Sequence, residues 1–327
     1  MGRRPYHLFP VQSDKTRLVS SAQLIDVDEW SVDEDFPIFP VGSKPKRLIR
    51  CPERAPQPFL IPGHSYLFKV AHSWRAQQLW SEVIAYRIAA AVGLDVPPCF
   101  VAVDKRTAEV GALVEFFYGY PDEAQSARFV HAADFLQRLS VGPRTDRPHF
   151  IRLNLNLCRA LGLDNAAEWW ARVLSFDALI GNSDRHPENW GFLQRIREAG
   201  DASWTLAPAF DNGTNLGYEI REERLSDLSD PIRLGAYVDA GCHHCGWDAS
   251  SDHRTPHIDL CQRMADAFPA ARDAIRRVIA IDHDQIEEIL DTCLQFRVSV
   301  SFTRDRAHFI AKLIEARRQR MLAIAGS

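Results

Sequence analysis

A chain of 327 residues, 46% hydrophobic and 25% charged, can bury a sizeable core and is long enough for two lobes or domains. Its net charge of -4 gives no general electrostatic drive toward nucleic acid or anionic membrane, no apolar run approaches a membrane span, and no signal-peptide core follows the opening residues. Seven cysteines, an odd number in so long a chain, fit reduced thiols better than a disulfide framework, so the expectation is a cytoplasmic protein without direct nucleic-acid or membrane binding.

Residues 1–35 mix polar and apolar positions and end in an acidic run from Asp26 to Asp35; they read as a solvated arm with one or two strands and no assigned chemistry. From Phe36 an apolar run meets Gly42-Ser43, then Lys44 and Lys46, then a second apolar stretch. Two strands joined by a small-residue loop suit this pattern. Such a loop can lay backbone N–H groups against phosphates, although a Gly-Ser turn is more often only a turn. A Pro-rich link over 51–62 leads to a short strand over 63–71 with one lysine, Lys69, among apolar residues.

The spacing then predicts a helix over 77–92, stopped by Gly93 and Pro97. Leu79, Val83, Tyr86 and Ala90 follow helical spacing, and Glu82 falls at the border of that stripe. A carboxylate tilted toward a core wants a cation. Lys69 and Glu82 are therefore candidates for the strand-lysine and helix-glutamate pair by which kinases hold a lysine against nucleotide phosphates. The alternative is a border glutamate that reaches solvent. Residues 97–103 and 110–117, joined by a charged turn at Asp104, read as a hairpin.

Beyond Tyr120 the pattern turns helical over 131–139, 151–161 and 165–179, with Asp164 as the cap of the last. That helix breaks at Gly181-Asn182 into the loop Ser183-Asp-Arg-His-Pro-Glu-Asn189, and a short buried strand follows from Trp190. A hairpin back through 203–207 carries the chain to Ala209-Phe-Asp-Asn-Gly213. Asp184, Asn189 and Asp211 are three oxygen-bearing side chains of the kind phosphoryl transfer requires. One carboxylate orients the attacking hydroxyl, and Asn189 and Asp211 supply oxygen ligands for magnesium on the triphosphate. Asp-x4-Asn followed by Asp-x-Gly has the protein-kinase spacing, with the His-Arg-Asp order changed to Asp-Arg-His. The competing reading is an ordinary polar loop between helix and strand.

Residues 214–252 are rich in polar residues and glycine, as a substrate-facing activation segment would be. They hold Cys242-His-His-Cys245, with His253, His257 and Cys261 nearby; structural zinc is one reading, but the spacing matches no standard finger or ribbon, and buried or loop thiols are the other. Helices are expected over 258–268, 271–281, 283–296 and 304–325. In the last, Arg306, Lys312, Arg317 and Arg318 lie off the apolar row and read as a solvated face, with a basic partner helix as the alternative.

The string Ile180-Gly-Asn-Ser-Asp-Arg-His-Pro-Glu-Asn-Trp-Gly-Phe192, with the later Ala209-Phe-Asp-Asn-Gly213, resembles the HipA-like serine/threonine kinases of bacteria, over about residues 36–270. The resemblance implies a nucleotide-covering loop at Gly42, Ser43 and Lys46, although the family's autophosphorylated serine has no counterpart around Phe39. It implies main-chain adenine contacts at Glu115 and Phe117, and a role for His186 in supporting the catalytic loop or the γ-phosphate. It also implies an α+β, two-lobed protein-kinase-like fold: an arm over 1–35, a β-rich lobe over 36–117 and a helical lobe over 118–327. HipA toxins carry an extra amino-terminal subdomain, so a chain that starts this close to its phosphate loop is expected to be a compact member. The expected activity uses ATP and magnesium, with Asp184, His186, Lys69 and Glu82 as the catalytic set, a serine or threonine acceptor on a protein substrate, and a cognate antitoxin-like partner as in a toxin–antitoxin pair. A lipid or small-molecule kinase, which the short Asp-Arg-His-x-x-Asn motif also allows, and a nucleotide-binding pseudokinase are the alternatives.

Overall fold

Six short segments between Ile25 and Glu115 pair into one sheet, and the longest of them, over 65–70, 99–104 and 109–115, are rich in aromatic and β-branched residues. The computed structural model describes residues 22–32, 46–123, 125–139, 149–196, 201–250 and 254–326. The strands are β1 (Ile25–Asp26), β2 (Ser31–Val32), β3 (Lys46–Arg50), β4 (Ser65–Val70), β5 (Cys99–Asp104) and β6 (Glu109–Glu115), in the spatial order β1-β5-β6-β4-β3-β2. All neighbours are antiparallel except β1 with β5. The register sets Lys46 opposite Lys69 and Lys69 opposite Ala112, so these three share one face.

The two faces of the sheet bury different partners. Val101, Ala112 and Val114 pack with α1 (Gln78–Ala91), while Phe68, Phe100 and Leu113 cover Ile25, Val27 and Trp30. Here the structure corrects the reading of the amino-terminal arm as solvated: Trp30 is buried, with its ring centroid 5.5 Å from that of Tyr66. An apolar residue at every second or third position was enough to anchor a segment whose charges face water.

The remaining elements form a helical lobe. They are a three-stranded sheet of β7 (Ala127–His131), β8 (Gly191–Ile196) and β9 (Ala202–Leu206), and the helices α2 (Ala132–Leu139), α3 (Ile151–Ala160), α4 (Ala166–Ile180) and α5 (Pro231–Asp239). A short hairpin, β10 (Cys242–His243) with β11 (Thr255–Pro256), precedes α6 (His257–Ala267), α7 (Ala271–Ile279), α8 (His283–Leu294) and α9 (Arg304–Gly326). No helix among the described residues is long and apolar enough to cross a membrane.

Central to this lobe is α4, whose Trp170, Val173, Leu174, Phe176 and Leu179 are all buried. Its amino-terminal boundary residue is Asn165 rather than Asp164, and no side chain caps it. It stops at Gly181 because that residue sits in the left-handed region at φ 71°. A Cβ there would also lie 2.7 Å from the Arg317 guanidinium. This overturns the solvated-face reading of two α9 arginines. Arg317 is buried and donates to the Ala178 carbonyl, and Arg306 is buried and donates to the Gly217 and Ile220 carbonyls and to Glu222.

Candidate active site

Lys69 leaves the face of the six-stranded sheet that α1 covers, and Glu82 approaches from that helix. The Lys69 ammonium lies 2.6 Å from Glu82 Oε1 and 2.9 Å from Asp211 Oδ1. Burial alone would depress the amine, but Asp211 and Glu82 together hold it above the ordinary lysine value. The second Glu82 oxygen accepts the Asn212 N–H at 3.2 Å. Gly213 leaves room for this arrangement, since a Cβ there would sit 3.2 Å from Glu82 Oε1 and 3.3 Å from its Cγ. Asp211 itself takes φ 56°, a strained conformation for a residue with a side chain, of the sort that clusters at functional sites.

The loop after α4 brings the second set of side chains to the same place. Asp184 sits at its mouth, 44% exposed, with Thr214 Oγ1 3.4 Å from Oδ2. The Asn189 amide nitrogen donates to the Asp184 carbonyl at 2.7 Å, which closes the loop and turns the amide oxygen away from it. His186 acts locally: its N–H donates to the Asp184 carbonyl, its Nδ1 accepts the Glu188 N–H at 3.2 Å, and its Nε2 stands 3.9 Å from Asp184 Oδ1.

Beneath the loop, Arg185 is fully buried and uses every guanidinium nitrogen. Nε and Nη2 bind the two Asp177 oxygens at 3.1 and 2.8 Å. Nη1 donates to the Asn189 and Phe210 carbonyls at 3.1 and 2.6 Å, and Nη2 to Asn212 Oδ1 at 2.6 Å. One cation thereby fixes the backbone on which Asn189 stands, the backbone just before Asp211 and the side chain just after it. Burial would raise the Asp177 carboxyl, but Arg185 and the hydrogen bond from His243 hold it well below the usual carboxylate range. Asn182 Nδ2 also donates to Asp177, and the Asn182 side-chain oxygen accepts the Asp184 N–H.

At the edge between the lobes, the Glu115 side chain is buried and accepts from the Tyr66 and Tyr120 hydroxyls at 3.2 and 3.3 Å, while its N–H donates to the Pro98 carbonyl. Glu115 therefore holds the connecting segment in shape from inside. Phe117 stacks on Phe210, centroids 5.2 Å apart, and so joins that segment to the residue before Asp211. Lys46 shares its face with Lys69, whereas Gly42 and Ser43 lie outside the described residues.

A family model described as the HipA-like C-terminal domain matches residues 41–295, more than half of the chain. The chain belongs to the HipA-like family. It is similar to the protein named "Putative kinase Y4mE" from Sinorhizobium fredii, with 25% identity over 209 residues that cover 61% of this chain and 46% of that one. The chain thus spans about half the length of the curated relative it matches. Among solved structures, the Helicobacter pylori proinflammatory kinase CtkA superposes with a TM-score of 0.67 at 18% identity, covering 93% of this chain and 97% of that one. HipA of Shewanella oneidensis MR-1, solved as a toxin–antitoxin complex with HipB and operator DNA, gives a TM-score of 0.50 at 15% identity over 88% of this chain and 65% of that one. The fold is therefore a two-lobed α+β kinase-like fold.

In this HipA-like chain the sequence reading missed the residues that organise the site from below: Asp177, Asn182, Arg185, Asn212, His243 and His257. Asp177 carried a signal, being a charged residue within the apolar run of α4. The cysteines of Cys242-His-His-Cys245 have separate surroundings. Cys245 is buried, which pushes its thiol's pKa well up, and the thiol lies 3.2 Å from the His149 carbonyl, while Cys242 lies by the Ala240 carbonyl. Among the described residues, no three His, Cys, Asp or Glu side chains converge as a metal site would require; His253 lies outside them.

Proposed function

We propose that the protein is an ATP- and magnesium-dependent phosphotransferase whose acceptor is a serine or threonine hydroxyl on another protein. The observation that carries this reading is the bridge from Lys69 to both Glu82 and Asp211, set beside the Asp184 loop by Arg185. A lysine above its ordinary pKa keeps its charge and can hold nucleotide phosphates, and Glu82 keeps it extended in the cleft. Lys46, on the same face, approaches from the strand that follows Gly42 and Ser43, so these three residues are the proposed cover over the phosphates. The backbone from Glu115 to Phe117 is the proposed adenine contact.

The donor set fits magnesium, which favours hard oxygen ligands. Asp211 offers a carboxylate held in place by a strained backbone, and Asn189 offers Oδ1 because its nitrogen is committed to the loop. When bound, magnesium would supply charge neutralisation at the transferring phosphoryl group. Asp184, exposed at the mouth and oriented by Thr214, takes the acceptor hydroxyl's hydrogen bond and aligns it for attack, with His186 steadying the loop backbone. Membership of the HipA-like family supports a protein acceptor, and the complex of Shewanella HipA with HipB supports a cognate antitoxin-like partner.

The test is incubation of purified protein with γ-labelled ATP, magnesium and a lysate of candidate acceptors, beside the Asp184→Ala and Asp211→Ala variants, with phosphosites located by mass spectrometry. Both variants should lose about a hundredfold or more of the transfer rate while still folding. Retained activity in Asp211→Ala would remove the assignment. Label appearing only on lipid or small molecules would replace the acceptor class.

A further inference from the structure

His243 is the last residue of β10 and His244 follows it, and the two side chains meet different surroundings. His244 is exposed, with its ring 5.8 Å from that of His186 on the catalytic loop. His243 is buried and turned beneath that loop. Its Nδ1 accepts the Cys245 N–H at 3.1 Å, so the ring proton resides on Nε2 and is donated to Asp177 Oδ2 at 3.0 Å. The same carboxylate grips Arg185, which in turn holds the Asn189 and Phe210 carbonyls.

The other strand of the hairpin ends in a second grip. His257, directly after β11, has Nε2 2.8 Å from the Asn182 carbonyl, at the start of the loop. The hairpin is also tied to α3: the Gly246 N–H donates to the His149 carbonyl, and the Ile151 N–H donates to the Gly246 carbonyl. It closes the segment that runs from Gly213 past α5, the part of the chain that would face an acceptor.

We propose that the β10–β11 hairpin braces the catalytic loop, with His243 as a positioning residue that acts through Asp177 and so couples the acceptor-side segment to Asn189 and Asp211. The functional part rests on the phosphotransferase reading above; the mechanical part does not. In this assignment the Cys-His-His-Cys motif is a support for the loop, and the donor on His243, not its charge, is the working feature.

Two substitutions separate these roles in the full chain. His243→Leu keeps bulk and removes the donor, and His243→Gln returns an N–H near the Nε2 position. Amide hydrogen exchange over residues 182–189 should speed up about tenfold or more in His243→Leu, with the rest of the helical lobe unchanged, and should return toward wild type in His243→Gln. In transfer assays kcat should fall about tenfold in His243→Leu while KM for ATP stays within about twofold, and His243→Gln should recover most of the loss. Wild-type exchange in the loop, or exchange raised evenly through the lobe without rescue, would overturn the brace. If His243→Leu fails to fold, Asp177→Asn, which retains shape and weakens both grips, decides by the same measurements. Absence of any transfer by wild type would count against the phosphotransferase reading, and the exchange data would still decide the brace.

Discussion

Arg185 shows how much of this site depends on one side chain with rigid geometry. Its planar fork meets Asp177 through two nitrogens while its outer faces reach two carbonyls and Asn212, a set that an ammonium point charge cannot reproduce. Replacing it with methionine leaves Asp177 charged and buried, with only neutral donors around it. Arg185→Met is therefore expected to cost roughly 3–5 kcal/mol, read from the shift of a urea transition; a loss under about 1 kcal/mol would contradict the organising role given to it. Gly213 argues the opposite case, a site effect with little stability cost. Its φ is not in the left-handed region, so Gly213→Ala strains no backbone, but the new Cβ presses on the Glu82 carboxylate within 3.2 Å. Stability should change by less than about 1 kcal/mol while kcat/KM for ATP falls several-fold to about tenfold, because small displacements of positioning groups are costly to transfer. These residue roles differ in how visible they were. Lys69, Glu82, Asp184, Asn189 and Asp211 stand out in sequence because the proposed phosphoryl transfer would need those groups at those spacings. Arg185 and His243 do not, because their value comes from which partners the fold brings to them: Arg185 joins Asp177 and Asn189 nearby to Phe210 and Asn212 well down the chain, and His243 meets Asp177 66 residues away.

At the scale of elements, α1 is fastened from both sides. One side packs on the sheet, and at its start Trp80 is wedged against Phe296 and Phe302, with Nε1 donating to the Val300 carbonyl at 3.0 Å. Ser81 adds a hydrogen bond to the Asn215 carbonyl just beyond Gly213. The helix that carries Glu82 is thus positioned by the helical lobe as much as by its own sheet. Trp80→Ala is expected to destabilise by about 3–5 kcal/mol through the cavity it leaves, and to loosen the Lys69–Glu82 pair. A thermal melt together with ATP titration checks both effects, and unchanged nucleotide affinity would show that the helix holds its place without that wedge. Why some elements were legible and others not follows from their length and their partners. The hairpin β5–β6 and the helices α1, α4, α6, α8 and α9 have ten or more residues of pattern between them and their breakers, so periodicity found them to within a few residues. β1 and β2 span two residues each and β7 exists by pairing with β8, so no local period marks them. α5 is different: Asp230 accepts from the Ile232 and Arg233 N–H groups and Pro231 opens the helix, a start signal present in the sequence but hidden inside the polar, glycine-containing stretch over 214–252.

Over the whole molecule, the buried histidines set the response to acid. Burial pushes the His257 ring down to about 3, helped by Arg317, and places His149 well below its ordinary value, helped by the histidines around it. His64, packed between Tyr66 and Tyr120, is lowered by burial as well. In the unfolded chain all three would take protons near pH 6.5, while the folded protein refuses them. Their neutral forms therefore contribute fully above pH 6.5, and that contribution is lost as pH falls below it, for His257 down to about 3, with each ring adding up to about 1.4 kcal/mol per pH unit to the slope. Asp177 works in a lower window, since a carboxyl held down by Arg185 gives up its contribution only below its ordinary value of 3.8. Acid unfolding should accordingly begin with these buried histidines, two of which, His149 and His257, sit in the lobe that carries the loop over 182–189, before the carboxylates titrate. Urea midpoints measured at pH 7.5, 6.5, 5.5 and 5.0 should fall with growing steepness, and His257→Gln, which can still donate to the Asn182 carbonyl, should flatten the curve by about one proton. A midpoint that stays level from pH 7.5 to 5.0 would mean that these rings are protonated, or open to water, in the folded protein, and the packing that joins hairpin, loop and α4 would need to be redrawn.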